Sequence, residues 1–253
     1  MKRRWVIASL MVLALGAGAL AQLRGFDDWY GGGRGGLRYY DPPPREIFPG
    51  NTFTFCRVQY SEDRMRGRGA GRGSSGWMTD YPESDLNFSL RLSQLTTIRV
   101  NRTETGEIRH DIVRLDEPAL FNYPFIYFVE AAAMSLTDAE REGLRSYLLR
   151  GGFALFDDFW GAAALDNVEW ELNQVLPPDE YPIVDVPMDH EIFRIVFQID
   201  EVPQIPAAGH YWRYLDYGIT YEEGFDYRGD PSPSCRGIFD KNGRLMVVIM
   251  HNT

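Results

Sequence analysis

The stretch from Pro124 to Phe156 constrains this chain more than any other. Pro124–Glu130 (PFIYFVE) is a nearly unbroken apolar run of the length and composition of a strand buried on both faces. Thr137-Asp138-Ala139-Glu140 carries the Thr and Glu of a capping box, which predicts a helix running to Arg150 and ending at Gly151-Gly152. Phe153–Phe156 (FALF) is then a second fully apolar strand, which Asp157-Asp158 is expected to end. Strand, capped helix and strand in this order form a βαβ unit, whose strands lie parallel with a right-handed crossover. The expected fold class is therefore α/β, with an open, mostly parallel sheet and helices on both faces, as in flavodoxin-like architectures.

The flanking segments extend this plan. Thr52–Tyr60 is rich in aromatic and β-branched residues and reads as a strand. Asp80-Tyr81-Pro82-Glu83 offers an N-cap carboxylate, an early proline and a Glu three residues on, so a helix is expected after it. Leu86, Leu90, Leu95 and Ile98 recur at roughly helical spacing, with Arg91 and Gln94 left for the outer face. Further strands are expected near Thr97–Asn101 and His110–Leu115, and a helix over Gly161–Leu176. Asp189-His190-Glu191 opens a short turn, and Ile199–Pro206 is extended. Arg236–Phe239 and Arg244–Met250 read as a C-terminal hairpin turning at Asp240-Lys241-Asn242-Gly243.

Lys2, Arg3 and Arg4, an apolar run from Trp5 to Leu20, and Ala19-Leu20-Ala21 have the order of a cleavable signal peptide over residues 1–21. The run is shorter than the roughly 20 residues of a membrane-spanning helix and contains Gly16 and Gly18. The expectation is a periplasmic or secreted protein with no stable transmembrane segment after cleavage. Residues 22–49 are Gly-, Tyr- and Pro-rich and read as an extended segment before an α/β domain at 50–253. Within that domain the Arg/Gly stretch at 64–76 reads as a flexible loop. The chain holds 26 Lys and Arg against 36 Asp and Glu, and losing three cations with the signal peptide makes it more acidic still. Nucleic acid is thereby excluded as a main partner. Cys56 and Cys235 are expected as free thiols, Cys56 buried and Cys235 nearer the surface.

Four stretches together resemble the secreted bacterial family called domain of unknown function 4159. They are Trp77–Thr97, Val113–Glu130, Leu136–Gly161 and His251-Asn252-Thr253, within a resemblance covering roughly residues 50–253. The resemblance implies a class I glutamine amidotransferase-like fold, in agreement with the βαβ reading, and it implies no activity. Members of that family run on past His-Asn-Thr whereas this chain stops there, which leaves open whether the natural chain continues.

In glutamine amidotransferases a cysteine sits on a sharp turn after a central strand. The turn that would correspond here, Phe156–Gly161, has neither cysteine nor serine, so glutaminase activity is not expected. What it offers is carboxylates. Ligands of open α/β sheets bind outside the C-terminal ends of the strands, where Glu130, Asp157 and Asp158 would gather if their strands are neighbours. His190 and His251 are candidates to join them. Asp157, Asp158 and His190 could then serve an oxygen-rich metal site, or the carboxylates an acid/base pair. The alternative is that they cap loops by accepting from nearby backbone N–H groups. No cofactor follows from the sequence. Two functions remain: a non-catalytic binding or assembly module of the cell envelope, with a polar or carbohydrate ligand or an envelope protein as partner, or a carboxylate- or metal-dependent hydrolase of a glycan or similar substrate.

Mass spectrometry of protein recovered from its native host is expected to find Gln22, or its cyclised form, at the N-terminus. Intact Met1 in a membrane fraction would overturn the cleavage reading.

Overall fold

Alternation of side chains along each strand decides which faces of the sheet must be covered. In the computed structural model, which describes residues 51–63, 76–222 and 230–253, seven strands form one open sheet. They are β1 (Phe55–Val58), β2 (His110–Val113), β3 (Phe125–Val129), β4 (Phe153–Phe159), β5 (Ile183–Asp185), β6 (Ser234–Phe239) and β7 (Leu245–His251), in the order β2-β1-β3-β4-β7-β6-β5. The pairs from β2 through β7 are parallel, and β6 runs antiparallel to both β7 and β5. The expected α/β class, open mostly parallel sheet and C-terminal hairpin are all present. The expected signal peptide, the Gly/Pro-rich segment and all of the Arg/Gly stretch except Gly76 lie outside the described residues. Among the described residues no helix is long and apolar enough to cross a membrane.

The βαβ unit forms as read. Helix α2 (Asp138–Leu149) joins β3 to β4, and its capping box is complete: Thr137 Oγ1 accepts from the Glu140 N–H, while Glu140 Oε2 accepts from the Thr137 N–H at 2.9 Å. The other oxygen of the buried Glu140 accepts from Ser61 N, tying the cap to the end of β1. One sheet face is dry. Cys56 and Val58 of β1, Ile126 and Phe128 of β3, and Ala154, Phe156 and Phe159 of β4 pack there against Leu144 and Leu148 of α2. Val168 and Leu172 of α3 (Ala162–Val175) complete that layer.

The opposite face is covered differently. Helix α1 (Glu83–Leu95) crosses from β1 towards β2, and its buried positions are polar, Asp85 and Ser89. The reason is Arg57, fully buried at the centre of β1. Its Nε and Nη2 grip the Asp85 carboxylate, Nη2 also reaches Ser84 Oγ, and Nη1 donates to the carbonyls of Trp77 and Thr79, each at 2.9 Å. All five guanidinium donors are satisfied, as a buried arginine requires. The apolar side of α1 therefore turns outward: Phe88 is 37% and Leu95 48% exposed. The leucine stripe thus does not pack on the core, because the charge pair has taken the buried side of the helix.

Other expectations need correcting. The capping box at Asp80 does not form: Pro82 precedes the helix without a side-chain cap, and Asp80 itself adopts φ 53°. The strand near Thr97–Asn101 reduces to a single bridge between Phe53 and Val100. Asp157 and Asp158 do not end β4, which continues to Phe159 through a register shift. Cys235 is buried like Cys56, and both thiols are free. They lie on strands separated by β3, β4 and β7, about 19 Å at the usual strand spacing and far beyond disulfide reach.

A buried pair broken on one side leaves an uncompensated charge, whereas a pair replaced by apolar groups of similar size does not. Asp85→Ala is therefore expected to destabilise the fold by about 3–5 kcal/mol in urea unfolding. The double variant Arg57→Met/Asp85→Leu should recover most of that loss. A double variant as unstable as Asp85→Ala would show that the pair contributes more than mutual compensation.

Candidate functional site

Strand β1 connects to one side of the sheet, towards β2, and β3 connects to the other, towards β4, so the chain reverses its winding between β1 and β3. Open α/β sheets bind ligands outside the C-terminal strand ends at such a point. The reversal is sealed by Tyr60, whose hydroxyl lies 2.8 and 2.9 Å from the carbonyls of Val129 and Glu130. A crevice of about 530 Å³ opens beside it. Thr79 and Asp80 line it from the β1–α1 connection, Ser84 from the first turn of α1, Glu130 from the end of β3, and Asp157 and Asp158 from β4. Pro203, Ile205, Pro206, Ala207, Glu222 and Thr253 close it.

The expected gathering of Glu130, Asp157 and Asp158 is thus real, and two acidic residues join it that pattern reading missed, Asp80 and Glu222. The placement of β3 beside β4, with Val129 opposite Asp157, brings the first three together. Local backbone does the rest. Glu130 leaves β3 in the left-handed conformation (φ 53°, ψ 39°) and turns at once into the helical turn Ala131–Ala133, whose carbonyl at Ala132 and that of Met134 accept from Asn167 of α3. Between the pairs Phe156–Ile249 and Phe159–His251, two residues of β4 stand opposite one of β7. The extra residue makes a bulge with Asp158 at φ 54°, the device by which strands re-aim side chains at an edge. Three of the four non-glycine residues with positive φ among those described, Asp80, Glu130 and Asp158, line this one crevice. Such conformations cost on the order of 1 kcal/mol or more for residues with a Cβ, and they cluster where structure serves function.

The histidines do not join. His190 caps the turn Glu191–Phe193 by accepting from Ile192 N, with its ring against Phe239. His251 is buried between Gly161 O at 3.1 Å and Ser234 Oγ, against the Phe159 ring. Its role is architectural, shared with Asn252, whose side chain accepts from Gly161 N and donates to the carbonyls of Asp230 and Ser232. Of that motif only Thr253 faces the crevice. The metal expectation also loses its histidine, and among the described residues no three His, Cys, Asp or Glu side chains are placed to hold a metal ion together.

Burial governs the electrostatics. Asp158 is pushed up to about 6, first by desolvation and then by Glu222, Asp157 and Asp80, against the opposing hydrogen bond from Trp160 Nε1 at 3.2 Å. Asp157 is raised by the same desolvation, although Tyr127 donates its hydroxyl to it at 3.1 Å. Tyr127 is in turn raised by burial and by Asp157, so it stays a neutral donor. The crevice is an acceptor-rich wall that favours a bound proton, a cation or a cluster of hydrogen-bond donors.

Residues 54–253 match the family described as Domain of unknown function (DUF4159). That match spans most of the chain, which belongs to this family. No curated protein matches the chain.

The pKa of Asp158 in the folded protein exceeds its ordinary value of 3.8, so the folded state holds that proton more tightly than the unfolded state does. The cost of burying the ionised carboxylate is full above pH about 6 and absent below about 4. Asp158→Asn keeps the shape and tolerates left-handed φ, so it is expected to stabilise the fold by on the order of 2 kcal/mol at pH 7.5 and by nearly nothing at pH 4. Unfolding midpoints at the two pH values test this, and equal effects at both would refute it.

Proposed function

We propose that this member of the family is a non-catalytic binding module of the bacterial cell envelope, exported by its N-terminal segment and built on an amidotransferase-like scaffold without the nucleophile. Its ligand is polar and rich in hydrogen-bond donors, a carbohydrate or an amine-bearing envelope component, held in the crevice at the ends of β3 and β4. The observation that carries this reading is the convergence of Asp80, Glu130 and Asp158, each in a left-handed backbone conformation, on one open crevice with the buried Asp157. Asp157 also accepts from the Asp158 backbone N–H and Glu222 from the Ala207 N–H, whereas Asp158 accepts from the Trp160 indole. Among the described residues the crevice lining includes no cysteine and no histidine, so the Cys–His pair of a glutamine amidotransferase is not in it. Left-handed Glu130, immediately after β3, occupies the kind of strained strand-to-helix turn on which hydrolases present a nucleophile, and here it presents an acceptor.

One observation favours a second reading, hydrolysis by paired carboxylates. Asp158, pushed up to about 6, is placed on the pH scale where a general acid works, with Glu130 and Asp157 in the same crevice.

Calorimetry with soluble envelope glycans and amino sugars, followed by product analysis, separates the two. Binding without product formation is expected, weakened about tenfold or more in Asp158→Asn, as for loss of a hydrogen bond to a charged group. Products formed by the wild type and lost in the variant would establish the hydrolase instead. Absence of any binding would overturn both readings of the crevice.

A further inference from the structure

The crevice continues into a second cavity of opposite character. Along the outward side of α1, Phe88, Leu92 and Leu95 face Phe55 of β1, Tyr127 of β3 and Leu155 of β4, with Val196 on the far bank. They enclose about 510 Å³, within the range of pockets that take small molecules. Ser84, Tyr127 and Asp157 line both this groove and the crevice, so the two share a wall and the apolar groove ends at the carboxylates. The rings behind it are fixed: Phe88 packs on Phe55 and Phe125, with centroids 5.1 and 5.5 Å apart.

This groove explains an otherwise costly arrangement. A surface helix ordinarily buries its apolar stripe. Here α1 is anchored by its polar side through Asp85 and leaves that stripe lining an open cavity. Exposed contiguous apolar surface of this kind marks a binding site in a folded protein. Among the described residues lining the groove Arg91 is the only cation, and its guanidinium is engaged by Gln94 Oε1. The other end meets Asp157, with Asp158 and Glu130 beyond it. Charge complementarity therefore sets the polarity of the occupant: apolar along α1, cationic at the strand ends.

We propose that groove and crevice form one site for an amphipathic amine, its aliphatic chain lying along Phe88, Leu92 and Leu95 and its ammonium among Asp157, Asp158 and Glu130. This rests on the reading of the crevice as a binding site and names the class of ligand. A chain in the groove displaces water from Phe88, Leu92 and Leu95, and each methylene buried tightens binding roughly threefold to fourfold. The ammonium supplies a positive charge beside the desolvated Asp157 and Asp158.

The test is calorimetry on the purified protein at pH 7.5 with butylamine, hexylamine and octylamine below their micellar concentrations, with octanol and octanoate as controls. Affinity is expected to rise at least tenfold from butylamine to octylamine, with octanoate not bound. Leu95→Lys, which places a charge at a half-exposed groove position, should abolish that rise. Asp158→Asn should weaken all three amines. If butylamine binds as tightly as octylamine, the groove plays no part and the inference falls while the crevice reading stands. If octanol or octanoate binds as well as octylamine, the ammonium is not recognised and the inference falls. If no amine binds but glycans do, the amphiphile is excluded and the crevice reading is kept. If neither amines nor glycans bind, both fail.

Discussion

The burial of Arg57 is the constraint on which the rest of this structure depends. A guanidinium at the centre of a parallel strand cannot be left with open donors, and its five N–H groups dictate what must surround them. Two carbonyls of the β1–α1 connection, a serine hydroxyl and a bidentate carboxylate meet that demand, while the rings of Tyr127 and Tyr81 lie 5.3 and 5.7 Å from the guanidinium carbon. Lysine could not replace it, because a point charge with three donors cannot hold two backbone carbonyls and a carboxylate edge at once. Desolvation offsets much of the Coulombic gain of such a pair. What the pair supplies is a unique placement for Thr79, Asp80 and Ser84, which form one wall of the crevice, and for the rotation of α1 about its axis. That rotation turns the apolar stripe of the helix towards the groove.

The opposite wall is positioned by a different set of bonds with the same logic. Asn252 spends its side chain on the Gly161 N–H and on two loop carbonyls, and its backbone N–H on Phe159 O. His251 holds Gly161 O. Together they clamp the turn from β4 into α3 just beyond the bulge that aims Asp158. On the far side Asn167 clamps the turn after Glu130. Both strained acidic residues are thus followed by a turn whose backbone is held by an asparagine from elsewhere in the chain. This is the over-determination that left-handed conformations need in order to persist.

How much of this was legible in the sequence depends on how local the cause is. The βαβ unit, the capping box at Thr137 and the hairpin at Asp240–Gly243 are set by residues within a few positions of one another, and they formed as read. The convergence of Glu130 with Asp157 and Asp158 followed from the same unit, because parallel neighbours joined by one helix align their C-terminal ends. The failures have non-local causes. Nothing near Leu86, Leu90 and Leu95 reveals that α1 will present Asp85 to an arginine 28 residues earlier in the chain, so periodicity assigned the wrong face. Asp80 looked like a cap because its spacing to Glu83 fits a capping box, yet its carbonyl, accepting from Ser84 N, opens the helix instead. The histidines were grouped with the carboxylates by chemistry alone, and His251 proved to belong to backbone locking. Arg57 itself carried a readable signal, a lone charge in a strand otherwise fully apolar from Phe55 to Val58.

These observations bear on why the crevice and the groove should be considered one device. Taken separately, each is a cost to the fold: carboxylates raised by burial with no cation among the described residues lining the crevice, left-handed backbone at three acidic residues, and partly exposed phenylalanine and leucine side chains. A chain free to optimise stability could remove most of them with small changes, an asparagine at 158, glycine at 130, a polar residue at 95, none of which would disturb the Arg57 anchor or the dry face under α2 and α3. Unfavourable features that are scattered need no common explanation, but here they share lining residues and face the same space at the end of the sheet where its winding reverses. A single amphipathic cation would relieve the charge at one end and cover the apolar surface at the other, which no separate account of either cavity achieves.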